Sequence, residues 1–119
     1  FEAIDIHGRC GVPVLLDVLH DQILTSGWSL SEALRRAGKS WGPCDGLPLL
    51  DYSQQRPGAR SGAHIEHLRA APFRAFLRES AGFDFDLMLE IKDKERSAAL
   101  ALQCARADPR LHINASLGR

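Results

Sequence analysis

Three times along this chain a short apolar run gives way to a polar loop and an amphipathic helix, and that repeated order restricts the fold more than any other feature. The first run is Val12 to Leu16, entered through turn signals at Gly11 and Pro13. Its continuous apolar character fits a strand covered on both faces, as in a parallel sheet, rather than a half-exposed strand with alternating character. "SLSEALRRAG" then reads as a helix, with Ser29 or Ser31 as its cap, Leu30, Ala33 and Leu34 at helical spacing, and Gly38 as its stop. In the second unit Leu47 to Leu50 is the strand and "APFRAFLRES" the helix. Pro72 suits a first helical turn there, and Phe73, Phe76 and Leu77 share a face ahead of Gly82. The third unit joins the strand "FDFDLMLEI" to the helix "DKERSAALALQCARA", with Asp93 as the expected cap and Pro109 as terminator.

Strand, loop and helix in this order are the grammar of a parallel α/β sheet. Three units do not close a barrel, which takes about eight. The expected fold is therefore α/β, either an open sheet or a partial TIM (β/α)8 barrel consisting of the last three βα units. Phe1 to Arg9 reads as the tail of a helix preceding the first strand, and a chain opening on Phe1 instead of Met points to a piece of something longer. Residues 1–110 are thus expected to be the C-terminal part of a barrel domain. Leu111 to Arg119, without periodicity, is expected to be a disordered tail.

Bulk properties exclude several classes. The 119 residues, 45% hydrophobic and 25% charged, suffice for one domain with its own core. No apolar run approaches the roughly 20 residues a membrane helix needs. Glu2, Asp5 and His7 stand where a secretory signal would be apolar. Cys10, Cys44 and Cys104 are odd in number and far apart, which fits three reduced thiols in a cytoplasmic protein. Net charge is zero, so a nucleic-acid partner would need a local basic patch.

Ionisable residues gather just after each strand, where parallel α/β folds keep their active sites. Asp17 and His20 follow the first run, and a turn there would let both face one site as a hard oxygen and an imidazole nitrogen, a pair suited to Zn²⁺, Mn²⁺ or iron. Alternatively, Asp17 caps the next turn and His20 is a surface residue. After the second run comes "DYSQQRPGARSGAH", with Asp51 at its start and His64 at its end. Ser53, Gln54, Gln55, Arg56 and Arg60 there offer donors suited to phosphate, unless the loop is merely solvated around a Pro57-Gly58 turn. His67 would share a face with His64 if that piece were helical, and is the weaker candidate. Glu90 follows Leu87 to Leu89 as either a ligand or base, or the point where the strand leaves the core; Lys92 and Lys94, taken alone, read as solvated.

The succession "VPVLLDVLH", "LPLLDYSQQRPGARSGAH" and "DLMLEIKDKE" resembles the C-terminal part of the UV damage endonucleases, from about Gly11 to Leu102. The most specific piece is "DYSQQRPGARSGAH", followed by "MLEIKDKE". The resemblance implies a metal-dependent TIM-barrel DNA repair enzyme that cuts the phosphodiester backbone 5′ to UV photoproducts. It implies metal ligands at Asp17, His20, Asp51, His64 and Glu90, of which Glu90, Asp17 and His20 would be catalytic. Gln54, Gln55, Arg56, Arg60 and Lys92 would contact the DNA. Asp51 stands where many members have a histidine, Leu49 where some carry a lysine, and Asp21 where a second histidine is common. The harder ligand set favours Mn²⁺, with Mg²⁺ or Zn²⁺ as alternatives. The implied partners are double-stranded DNA carrying UV lesions and the N-terminal part of the same barrel; no membrane is involved. The rival readings are a metal-dependent sugar isomerase or epimerase on the same barrel plan, and a degenerate, non-catalytic fragment.

Overall fold

The second apolar run becomes the centre of a sheet because both of its neighbours pair with it through parallel ladders. The computed structural model of the chain describes residues 2–24 and 26–112. In chain order its elements are helix α1 (Glu2–Cys10), strand β1 (Leu16–Asp17), α2 (Val18–Leu24), α3 (Leu30–Lys39), β2 (Leu49–Tyr52), α4 (Ala70–Glu79), β3 (Asp86–Leu89) and α5 (Glu95–Ala105). The sheet order is β1-β2-β3, all parallel, with Leu16 opposite Leu50, and Leu50 opposite Leu87. The fold is α/β, three βα units on one parallel sheet, as the sequence pattern implies. α1 occupies the stretch expected to be the tail of a preceding helix. The tail beyond residue 112 lies outside the described residues.

One face of the sheet is dry. Leu16 and Leu50 are 1% exposed, and beside them Tyr52 packs edge-on against Phe73 of α4 with ring centroids 5.1 Å apart. Phe76, one helical turn on, lies 4.7 Å from the same tyrosine ring. Edge-to-face rings gain attraction beyond the area they bury. α3 adds Ala33, Leu34 and Ala37 to this layer. Of the two caps the sequence allows, Ser29 is the one used: its Oγ accepts the backbone N–H of Glu32 at 3.2 Å. The helix then runs one residue past Gly38, to Lys39.

All three strands differ from their expected extent, the third being confined to Asp86–Leu89 within "FDFDLMLEI". The run from Val12 yields only Leu16–Asp17 as strand. The Val14 N–H instead donates to Ser40 Oγ at 2.7 Å, and its carbonyl accepts from Trp41 Nε1 at 2.9 Å. Those backbone groups are satisfied by the turn after α3, so no ladder forms there. β2 starts at Leu49 and extends through Asp51 and Tyr52, two residues beyond the apolar run. Asp93 does not cap α5. The residue before that helix is Lys94, at φ 50°, with no side-chain cap, while Asp93 accepts from the Ser97 hydroxyl and faces His67 Nδ1 at 2.9 Å. Cys10, Cys44 and Cys104 are free thiols. No helix among the described residues is long and apolar enough to cross a membrane.

Candidate metal centre

Register decides which side chains meet on the face away from the helices. Asp17 lies opposite Asp51, and Asp51 opposite Met88. Side chains two apart on a strand return to the same face, so Glu90 shares that face with Met88. Its N–H donates to the Tyr52 carbonyl at 2.8 Å, continuing the ladder one step past β3. Asp17, Asp51 and Glu90 each offer a carboxylate oxygen, and the three lie within 4.8 Å of one another.

Three negative charges at that spacing repel by a few kcal/mol per pair at the effective dielectric of a protein surface. Burial, then Glu90, then Asp17 push the Asp51 carboxyl above the usual carboxylate range. Asp51 Oδ1 is shut off from solvent and has no hydrogen-bond partner, an acceptor without a donor. A divalent cation supplies what that oxygen and the clustered charge lack, so the donor set fits a hard metal ion.

His20 and His64 flank this cluster without joining its 4.8 Å group. Asp17 Oδ1 accepts the backbone N–H of His20 at 2.9 Å, which makes Asp17 the cap of α2 as well as a member of the carboxylate group. His20 Nδ1 sits 2.5 Å from Asp17 Oδ2, leaving Nε2 as its other donor atom. That nitrogen lies 4.0 Å from where a Cβ on Gly62 would stand. Segment 17–20 is thus the start of a helix, and Asp17 caps it while its carboxylate also lies in the group with Asp51 and Glu90. His64 Nε2 is 3.9 Å from Glu90 Oε2. His67 does not share a helical face with His64, because that piece is an extended bridge and bend, and it is 73% exposed beside Asp93.

The segment that carries His64 is a braced loop. Gln55 and His64 pair as an isolated antiparallel bridge, and Arg56 N–H donates to Ala63 O at 2.8 Å. Pro57 and Gly58, the latter at φ 70°, form the turn, closed by Ala59 N–H to Arg56 O at 3.3 Å. Gln55 Nε2 donates to the carbonyls of Arg56 and Arg60 at 3.0 Å, and its Oε1 accepts from Gly62 N–H at 2.8 Å. Its donors are spent inside the loop.

Two expected phosphate donors are corrected here. Gln54 is buried, with its amide nitrogen on Tyr52 OH and Arg69 O and its oxygen on Arg69 N–H. Ser53 is also buried, and its hydroxyl donates to the Glu90 carbonyl at 2.7 Å. Both lie just past the end of β2, and these hydrogen bonds hold them inside. Arg56, Arg60 and Lys92 remain at the surface. The sequence reading missed Glu66, whose Oε1 lies 3.4 Å from Arg56 Nη1 and 3.1 Å from Lys92 Nζ. An acid two residues after His64 was its only sequence signal.

No family model matches the chain. It is 31% identical over 99 residues to the UV DNA damage endonuclease of Clostridium perfringens (strain 13 / Type A), a match covering 82% of this chain and 24% of that protein. Its fold superposes on the crystal structure of SacUVDE with a TM-score of 0.82 and 38% identity, over 91% of this chain and 36% of that one. The chain matches one part of the UV damage endonuclease family. It spans about a quarter of the length of the curated relative from Clostridium. Relatives named as UV damage endonucleases thus share the framework that carries Asp17, Asp51 and Glu90.

Proposed function

We propose that this chain supplies one wall of the metal centre of a DNA repair endonuclease, a phosphodiester hydrolase that cuts 5′ to UV photoproducts in double-stranded DNA. The remainder of the barrel completes the site. The observation that carries this reading is the convergence of Asp17, Asp51 and Glu90 from three adjacent strand ends, with an orphaned acceptor on Asp51.

Asp17, Asp51 and Glu90 would hold divalent ions, with His20 and His64 as the flanking nitrogen ligands. The oxygen-rich set favours Mn²⁺, with Mg²⁺ and Zn²⁺ as alternatives. A bound ion of this kind polarises a phosphoryl oxygen and lowers the pKa of water beside it. The protein's own part is placement. His20 Nδ1 holds the Asp17 carboxylate in one orientation, as partners of metal-binding carboxylates do. Arg56 and Arg60, on the braced loop, and Lys92, after β3, are the phosphate contacts. Gln55 acts at that surface by shaping the loop. Such contacts fix the duplex without reading sequence, which suits an enzyme directed at lesions. Distortion of the damaged duplex then selects the target.

The test uses a polypeptide of the relatives' full length that carries these residues, and a duplex with one defined cyclobutane dimer. Cutting on the 5′ side in Mn²⁺, abolished by chelator and reduced on the order of a hundredfold or more in Glu90→Gln and Asp17→Asn, is the expected result. Intact damaged DNA under every divalent ion tried would sink the reading, and turnover of a small sugar instead would move the site to isomerase chemistry.

A further inference from the structure

Ser53 is 5% exposed at the end of β2, and its Oγ–H donates to the carbonyl of Glu90 at 2.7 Å. The last ladder pair is Tyr52 with Leu89, so Glu90 lies one residue beyond the sheet. Past that point two parallel backbones are free to splay apart. Here they do not, because Glu90 is gripped twice. Its N–H is held by the Tyr52 carbonyl at 2.8 Å, and its carbonyl by the Ser53 hydroxyl. The first bond is ordinary backbone pairing that any residue at 52 would make. The second depends on a side chain that carries a hydroxyl on its Cβ.

We infer that Ser53 is a positioning residue: it fixes the backbone of Glu90 so that this carboxylate meets Asp17 and Asp51, and it thereby sets the affinity of the site for a divalent cation. Glu90 reaches its partners through three side-chain torsions, so a small swing of its Cα carries the carboxylate oxygens out of the shared 4.8 Å group. Asp17 and Asp51 need no such device, since both lie within paired strands. The inference rests on the metal reading proposed above, and its test separates the two.

The chain is titrated with Mn²⁺ alone, and the free aquo ion is followed by electron paramagnetic resonance, a readout independent of cutting. Replacing a partner of a metal ligand typically weakens binding by about tenfold or more, and that is the expected loss in Ser53→Ala, with the metal-free thermal midpoint as the control for folding. Ser53→Thr and Ser53→Val carry the comparison even if the alanine variant does not fold, since they have nearly the same shape and differ in the hydroxyl. Ser53→Thr keeps the donor and should bind about tenfold tighter than Ser53→Val. Equal affinities in the threonine and valine variants, or an alanine variant indistinguishable from the unaltered chain, would overturn the positioning role. If the unaltered chain binds Mn²⁺ no better than Asp17→Asn/Asp51→Asn/Glu90→Gln, the metal reading fails and this role fails with it.

Discussion

Replacing Asp51 by asparagine separates the stability of the chain from its affinity for metal. Without a cation, the Asp51 carboxylate is disfavoured first by burial and then by Glu90 and Asp17. Asparagine removes that charge and keeps the shape, so the metal-free chain should melt at a higher temperature. Mn²⁺ affinity should move the other way and fall by about tenfold or more, since even indirect partners of a metal cost that much. Calorimetric melting with and without Mn²⁺ reads both effects. A lower metal-free midpoint together with unchanged Mn²⁺ binding would remove Asp51 from the site. The residue types at this site could be read from the sequence, because hard donors at the ends of apolar runs are costly unless used. Their division of labour could not. Ser53, Gln54 and Gln55 looked like surface donors, yet the hydrogen-bonding groups of Ser53 and Gln54 are taken up inside the protein and those of Gln55 within its own loop, and only the bonds themselves reveal it.

At the scale of elements, the end of α4 is held by a side chain that follows α5. Arg110 donates from Nη1 to the Ser80 and Phe83 carbonyls at 2.7 and 3.0 Å, and from Nη2 to the Leu77 carbonyl at 2.9 Å. Asp108 orients the guanidinium through a 2.6 Å bond, and the ring of Phe85 lies 5.3 Å beneath it. The Leu77 carbonyl is one of the last in α4, which lack partners within the helix, and the planar fork of donors meets it together with the Ser80 and Phe83 carbonyls just beyond the helix end. Arg110→Ala should therefore cost roughly 2 kcal/mol, the scale of a hydrogen bond to a charged group, and Arg110→Lys should recover only part of it. Arg110 also holds the Asp108 carboxyl below the usual carboxylate range. The stability from that pair is present above the unfolded carboxylate pKa and is lost as pH falls through the lowered one. The alanine variant should lack this acid-side loss in urea melts taken across that range. An unchanged acid limb would mean that the pair contributes nothing. The βα order and the apolar faces of α3 and α4 were legible because their periodicity is local. The shortened β1 was not, since Ser40 and Trp41 claim Val14's backbone groups from more than twenty residues away.

For the whole molecule, the two faces of the sheet differ in what covers them. Helices bury Leu16, Leu50 and Tyr52 on one side. On the other, Met88 lies beneath the carboxylate row at 49% exposure, and Leu15, beside the buried Leu16, is 40% exposed. β1 and β3 each have one edge without a strand partner among the described residues. A cavity of about 700 Å³ opens beside β3, bounded by Leu87, Leu89, Leu102 and Phe83. Unpaired strand edges and apolar surface of this kind seek cover, from further strands of a barrel or from another copy. The 119-residue chain taken alone should therefore associate as its concentration rises, with a sedimentation coefficient above that of a monomer at tens of micromolar. Met88→Lys and Leu102→Lys should each shift the balance toward monomer without lowering the melting temperature, because both side chains are about half exposed and give little to the core. Carboxylates above an open apolar face also lack the low-dielectric enclosure that makes a metal centre reactive, so this chain alone should bind Mn²⁺ yet leave damaged DNA intact. Sedimentation as a monomer across the whole concentration range, with cooperative unfolding, would mean that this face is stable in water and needs no cover.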